Sequence, residues 1–175
     1  MNETRWLDAD EQRAWRAFLE ASQLLFERLD RQLQRDAGLS HADYEILVRL
    51  SEADGQRLRM SELAECTLFS RSRLSHAAAR LERAGMMRRQ RCPSDGRGTF
   101  AVLTAKGRGV LTSVAPAHVE EVRRQVFDQL TTAQVGELRR ISDAIRERLG
   151  LSLPSGRGRS RASPGPGGDR PSRER

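Results

Sequence analysis

Between Ser70 and Arg80, hydroxyl, imidazole and guanidinium groups recur at a spacing suited to approaching nucleic acid. Ser70-Arg71-Ser72-Arg73, followed by Ser75, His76 and Arg80, predicts a helix from about Arg71 to Ala84. Ser70 caps it, because its hydroxyl can accept from backbone N–H groups that the first turn leaves without partners, and Gly85 stops it. Leu74, Ala78 and Leu81 recur at helical spacing and form the buried face, which turns Arg71, Ser72, Ser75, His76 and Ala79 outward. Short hydroxyls let a helix come close to base edges, and arginine can donate two bonds to guanine O6 and N7 in a major groove. The same pattern also suits a solvated face in an arginine-rich chain. Arg73 and Arg80 are candidates for phosphate contact.

The elements around this helix favour the first reading. Ser61-Glu62-Leu63-Ala64-Glu65-Cys66 suits a two-turn helix against a core, and Thr67, Leu68 and Phe69 are the link. In helix-turn-helix arrangements the N-terminal residues of the second helix do most of the base reading. After Gly85, Met86–Cys92 and Thr99–Leu103 are expected to form two antiparallel strands joined by the turn cluster Pro93-Ser94-Asp95-Gly96-Arg97-Gly98. The tip presents Arg97, which a narrow A·T-rich minor groove attracts; Asp95 is expected to pair with Arg97 or another arginine and fix its direction. Arg89 and Arg91 share one face of their strand and Arg88 the other. These three either touch phosphate or decorate the strand.

The segment from Asp95 to Gly107 resembles the wing signature of the MarR (multiple antibiotic resistance regulator) family, D-x-R-x-x-x-V-x-L-T-x-x-G. Asp95, Arg97, Leu103, Thr104 and Gly107 match in register, and Ala101 stands at the valine position. Ser61–Ala64, Ser70–Ser72 and Leu81–Gly85 also fall where that family has them, and the resemblance covers roughly residues 10 to 150. It implies a mainly α fold with a small β-hairpin wing, in which a winged helix-turn-helix (about 40–107) is flanked by N- and C-terminal dimerisation helices (about 10–36 and 108–150).

The flanking stretches carry enough apolar surface for that role. Trp15, Phe18, Leu19, Ser22, Leu25, Phe26, Leu29 and Leu33 lie at helical spacing from about Asp10 to Asp36, ending near Gly38. Ser40 and Asp43 occupy capping-box positions, and Leu39 and Tyr44 have staple spacing, for a second helix to about Ala53 with Ile46, Leu47 and Leu50 inward. Beyond the wing, Thr104 caps a helix whose apolar stripe is Val119, Val122, Val126 and Phe127, with a kink or restart expected at Pro116. A last helix opens with capping-box spacing at Thr131 and Gln134 and carries Val135, Leu138, Ile141, Ile145 and Leu149. Trp15, Leu19, Val122, Val126, Leu138, Ile141, Ile145 and Leu149 are therefore the candidate interface of a two-fold dimer, whose paired readers would favour a pseudo-palindromic duplex site; closure of a monomer core is the alternative.

Charge divides unevenly along the 175 residues. Of the net +7, the segment after Gly150 carries +4, from six arginines against Asp169 and Glu174, leaving +3 for residues 1–150. That segment is Ser, Gly, Pro and Arg with almost no apolar residue, so it is expected to be a disordered basic tail; it either adds sequence-independent affinity for polyanions or is a tolerated extension. The chain has no apolar run long enough for a membrane span and no signal-peptide layout, so a cytoplasmic location is expected. His41, His76 and His118 show no metal-ligand spacing and no glycine-rich phosphate loop follows a strand, so neither catalysis nor a cofactor is expected. Cys66 and Cys92 are too few for a disulfide framework, and Cys92, among arginines, is the candidate for a lowered thiol pKa.

The expected function is a sequence-specific transcription regulator, most naturally a repressor, that binds double-stranded DNA as a homodimer. Its DNA-contact candidates are Ser70, Arg71, Ser72, Arg73, Ser75, His76, Arg80, Arg89, Arg91, Asp95 and Arg97. The family resemblance further implies release by a small phenolic or aromatic ligand, for which Phe18, Ser22, Phe26, His41 and Tyr44 are candidates; they also suit core and interface. The alternatives are a sequence-tolerant architectural DNA binder dominated by the tail and a redox-responsive regulator using Cys92 or Cys66.

Overall fold

Capping by local side chains sets most helix boundaries in the computed structural model, which describes residues 3–92 and 98–150. Helix α1 (Ala9–Ala37) opens where the Asp8 carboxylate accepts from the N–H groups of Asp10 and Glu11, both at 2.8 Å, while Glu11 accepts from the Asp8 N–H at 3.0 Å. It closes at Gly38, whose φ of 65° lets its N–H turn back to the Gln34 carbonyl at 3.0 Å. Ser40 and Asp43 cap α2 (His41–Glu52) reciprocally, at 3.1 Å in each direction. After a single 3-10 turn come strand β1 (Arg57–Arg59), α3 (Met60–Thr67), α4 (Arg71–Arg83), β2 (Met87–Arg91), β3 (Thr99–Leu103) and α5 (Ala105–Gln125).

The sheet is antiparallel in the order β1-β3-β2, with Arg57 opposite Val102 and Met87 opposite Leu103. The hairpin of β2 and β3 matches the expected wing. Strand β1 was not expected; its three residues extend because β3 offers a free edge, and a turn through Gly55 and Gln56, at φ 62° and 54°, delivers them there. The core lies between α2, α3, α4 and the sheet, where Ile46, Leu47, Leu50, Leu63, Ala78 and Leu81 are almost wholly buried.

Two corrections concern α5. Pro116 does not restart it: the helix runs unbroken, and because Thr112 and Pro116 are both exposed, water can satisfy the carbonyl that loses its helical bond. Its buried face is Leu111, Val114, His118 and Glu121, whereas Val119 of the expected stripe is exposed. The join between wing and α5 is tight. The Thr104 hydroxyl donates to the Gly85 carbonyl at 2.7 Å and accepts from the Gly107 N–H at 3.0 Å. A Cβ on Gly107 would stand 2.1 Å from the Met86 carbonyl oxygen, so that position has room only for glycine.

The chain divides into two units, residues 1–129 and 130–175. In the second, Thr131 and Gln134 form the expected capping box of α6 (Thr132–Arg148), and none of its residues is buried.

Candidate nucleic-acid interface

Leu74, Ala77, Ala78 and Leu81 seat α4 on the core, so its remaining side chains must face away. Arg71, Ser72, Arg73, Ser75 and His76 are exposed together over its first two turns. No acidic residue lies in the first turn, so the partial positive charge of the helix start adds to that of the arginines. The Ser70 hydroxyl accepts from the Arg73 N–H at 3.2 Å and lies 3.2 Å from the Ser72 hydroxyl, which makes it the cap of the face as well as part of it. Arg73 is drawn sideways, with its guanidinium carbon 4.3 Å from the centre of the Phe69 ring at the turn.

Two arginines of the expected contact set have partners within the protein. Arg80 donates to Asp43 at 2.9 Å and reaches the Ser40 hydroxyl at 3.4 Å, so it ties α4 to the start of α2 rather than standing free for phosphate. Arg89 reaches the Ser75 carbonyl at 3.4 Å and Glu82 at 3.8 Å, while its own N–H donates to Glu82 at 3.1 Å; it staples β2 to α4. Arg91 is exposed, and Arg88 lies with Gln90 on the opposite strand face. Between α3, α4 and the wing opens a cleft of about 360 Å³ lined in part by Arg59, Ser61, Ser75 and Arg89. Asp95 and Arg97, the tip residues, fall outside the described residues, as does the basic tail.

Sequence reasoning missed Arg57 and Arg59. Both flank the Phe100 ring, at 5.1 and 5.5 Å from its centre, and so extend the basic surface along the wing's outer strand. Their signal was an Arg-Leu-Arg triplet too short to be recognised as a strand. Arg59 also donates to Cys92 Sγ at 3.6 Å. Cys92 is buried, and burial pushes the Cys66 thiol above its ordinary pKa, which disfavours the reactive thiolate.

The expected ligand residues are only partly brought together. Phe26 meets His41 edge-on at 5.5 Å, and His118, which was not among the expected ligand residues, lies 6.2 Å from His41 and 4.4 Å from Tyr44 between ring centres. His118 Nδ1 is 2.9 Å from Gln32 Oε1, and the Gln32 amide donates to Asp36 at 2.6 Å. That second bond orients the amide, so Nδ1 carries the proton and Nε2 is the acceptor of the neutral ring. Burial holds both imidazoles below their ordinary pKa: His118 is depressed further by His41 and partly restored by Glu121, while Glu45 and Asp30 oppose the shift at His41 and Arg73 adds to it. Phe18 and Ser22 lie higher on the same face of α1, where Phe18 stacks on Trp15 and the Ser22 hydroxyl donates to the Phe18 carbonyl. The signal for His118 was its helical spacing from Leu111 and Val114.

Of the expected dimer residues, Trp15, Leu19, Leu138, Ile141, Ile145 and Leu149 are exposed large hydrophobics, and Val122 and Val126 are half-buried. Among the described residues no three His, Cys, Asp or Glu side chains are grouped to hold a metal ion, and no helix is long and apolar enough to cross a membrane.

Comparison with known proteins agrees with this geometry. Residues 37–98 match the model of the MarR family. Sco3205, a MarR family transcriptional regulator from Streptomyces coelicolor solved in complex with DNA, is 51% identical, with a TM-score of 0.82 over 90% of this chain and 97% of that one. AbsC, from the same family and organism, is 48% identical, with a TM-score of 0.80 over 85% of this chain and 100% of that one. The HTH-type transcriptional regulator MhqR of Bacillus subtilis is 27% identical over 89 residues, 51% of this chain and 60% of that protein's length. With half its residues identical to those of Sco3205 along nearly the whole of both chains, and a winged helix-turn-helix across the matched segment, this chain belongs to the MarR family of transcriptional regulators.

Proposed function

We propose that the chain regulates transcription as a homodimer, a repressor that pairs each α4 with a major groove and each wing with the neighbouring minor groove of a pseudo-palindromic operator. The observation that carries this reading is the face of Arg71, Ser72, Ser75 and His76, exposed together beside a wing whose strand β2 ends at the exposed Arg91. Sco3205, solved with DNA, supports it. Arg80 and Arg89 act within the protein, holding α4 to α2 and to the wing, so the contact set is Ser70, Arg71, Ser72, Arg73, Ser75, His76, Arg91 and, at the wing tip, Arg97, steadied by Asp95.

The exposed hydrophobics of α1 and α6 support the dimer, because large apolar side chains left uncovered along two helices are the usual mark of a protein interface. Release by a small phenolic or aromatic ligand draws support from the grouping of Phe26, His41, Tyr44 and His118 beside the reader lobe. Such a ligand acts only by binding the DNA-incompetent spacing of the two readers more tightly than the competent one.

Fluorescence anisotropy with the protein's own upstream DNA and a scrambled duplex of equal length, across a salt series, tests the proposal. A preference of about 10³ or more at physiological salt is expected of a specific regulator. Equal binding that vanishes from both duplexes as salt rises would make the affinity electrostatic and favour an architectural role.

A further inference from the structure

Four arginines meet where α1 passes α5. Arg28, Arg31 and Arg35 recur at i, i+3 and i+7 and so share one face of α1, and Arg124 faces them from α5 across a cleft of about 310 Å³ that Glu121 and Gln125 complete. Among the described residues Glu121 is the only carboxylate lining it, and its side chain is 7% exposed. Its oxygens are already engaged by Arg124, by the Gln125 amide at 2.9 Å and by Arg28 at 3.5 Å. Burial opposes ionisation of Glu121, but the bonds from Arg124 and Gln125 and the charges of Arg124 and Arg28 outweigh it and leave its pKa low. Arg31 pairs with Glu27 of its own helix at 2.8 Å, and Arg35 has no carboxylate partner among the described residues. The seam therefore holds two more guanidinium charges than carboxylates.

An adjoining cleft of about 370 Å³ shares Arg28, Arg31 and Gln125 but is otherwise lined by Ala21, Leu24 and Leu25. One end of the combined groove is thus cationic and the other apolar, with Leu24 65% exposed. Planar guanidinium forks match the two oxygens of a carboxylate or phosphate, and pockets of a few hundred Å³ that combine apolar walls with a few polar anchors are the usual form of small-molecule sites. Arg28 lies roughly 200° around α1 from Phe26, so this groove is separate from the Phe26, His41 and Tyr44 cluster.

We propose that the seam between α1 and α5 binds a small amphipathic oxyanion, an organic carboxylate or phosphate monoester, with its head among Arg31, Arg35 and Arg124 and its apolar body along Leu24 and Leu25. Calorimetric titration of the full chain with octanoate, octyl phosphate, 1-octanol and inorganic phosphate tests it. Saturable binding of octanoate or octyl phosphate is expected, and the stronger of the two identifies the head group. Octanol, lacking the charge, and inorganic phosphate, lacking the apolar body, should bind at least about tenfold more weakly. R31M/R35M, which keeps both aliphatic stems, should weaken the amphiphile by about tenfold or more with the urea midpoint and sedimentation unchanged, and Phe26→Ala should leave its affinity as it was. Failure of both amphiphiles to bind, equal binding of octanol, or undiminished binding by R31M/R35M would overturn the proposal. So would dissociation of a dimer by R31M/R35M, which would assign these arginines to contact with a second copy.

Discussion

Replacing Arg80 separates two tasks that a guanidinium on a recognition helix can perform, holding the helix or holding the DNA. Its Nη2 lies 2.9 Å from Asp43 Oδ1 and its Nε 3.4 Å from Asp43 Oδ2. The Asp43 side chain is 7% exposed against 47% for Arg80, and Asp43 also accepts from the Ser40 N–H at 3.1 Å and the Ser40 hydroxyl at 2.6 Å. Arg80→Met keeps the stem and the helix propensity and removes only the charged head. Because the two Ser40 donors remain, the loss is one charge-assisted pair at a half-exposed guanidinium, about 1–2 kcal/mol. Asp43→Ala also breaks the reciprocal cap of α2, roughly 1 kcal/mol more. The double variant should cost little more than Asp43→Ala, since both substitutions remove the same pair. Urea unfolding measures all three. In anisotropy titrations across a salt series, a positioning Arg80 predicts that Arg80→Met weakens operator binding while the slope of log affinity against log salt stays fixed. A phosphate contact predicts a slope shallower by about one. An Arg80→Met protein with an unchanged urea midpoint and a slope reduced by one would refute the positioning role.

The Arg80 partnership also marks the boundary of what was legible in the sequence. Caps were legible at Ser40, Ser70, Thr104 and Thr131 because a cap is a bond between a side chain and backbone three residues away, and those bonds form as expected. The seat of α4 was legible because leucine and alanine at helical spacing leave one apolar stripe. Arg80 and Asp43, in contrast, are 37 residues apart, and His118 and Gln32 are 86 apart; no local pattern signals such pairs. Strand β1 escaped for the same reason, since three residues show no alternation and only pairing with β3 defines them. On α5 the apolar pattern favoured Val119 and Val122, whereas the buried face carries a histidine and a glutamate that are tolerated only because Gln32, Arg124 and Gln125 satisfy them. The wing signature was legible as a match at Thr104 and Gly107, and the fold supplies its reason: one caps α5 and bonds back to Gly85, and the other has a backbone carbonyl where a Cβ would go.

Three further outcomes are expected. Gly107→Ala should lower unfolding stability by about 1–3 kcal/mol or more, because the clash with Met86 backbone exceeds the helix-propensity gain of roughly 1 kcal/mol; an unchanged urea midpoint would contradict the close approach. Ile141→Glu, on the face that leaves Leu138, Ile141 and Ile145 42%, 52% and 44% exposed, should raise the dimer dissociation constant by roughly 10² or more, since a two-fold interface loses about 1.5–3 kcal/mol twice; sedimentation unchanged from the parent would remove α6 from the interface. The third concerns acid. Burial holds His41 and His118 below their ordinary pKa of about 6.5, and at His118 the charge of His41 adds to it. Below that pH the unfolded chain therefore binds more protons than the folded one. Their contribution to stability is complete above about pH 6.5 and is lost as pH falls toward the depressed folded values, at up to about 1.4 kcal/mol per pH unit for each proton taken up. His118→Gln retains an amide for Gln32 but cannot titrate. Urea midpoints measured between pH 7.5 and 5.5 should consequently fall less steeply for His118→Gln than for the parent; parallel slopes would mean that this pair does not couple proton uptake to the joint of α1, α2 and α5.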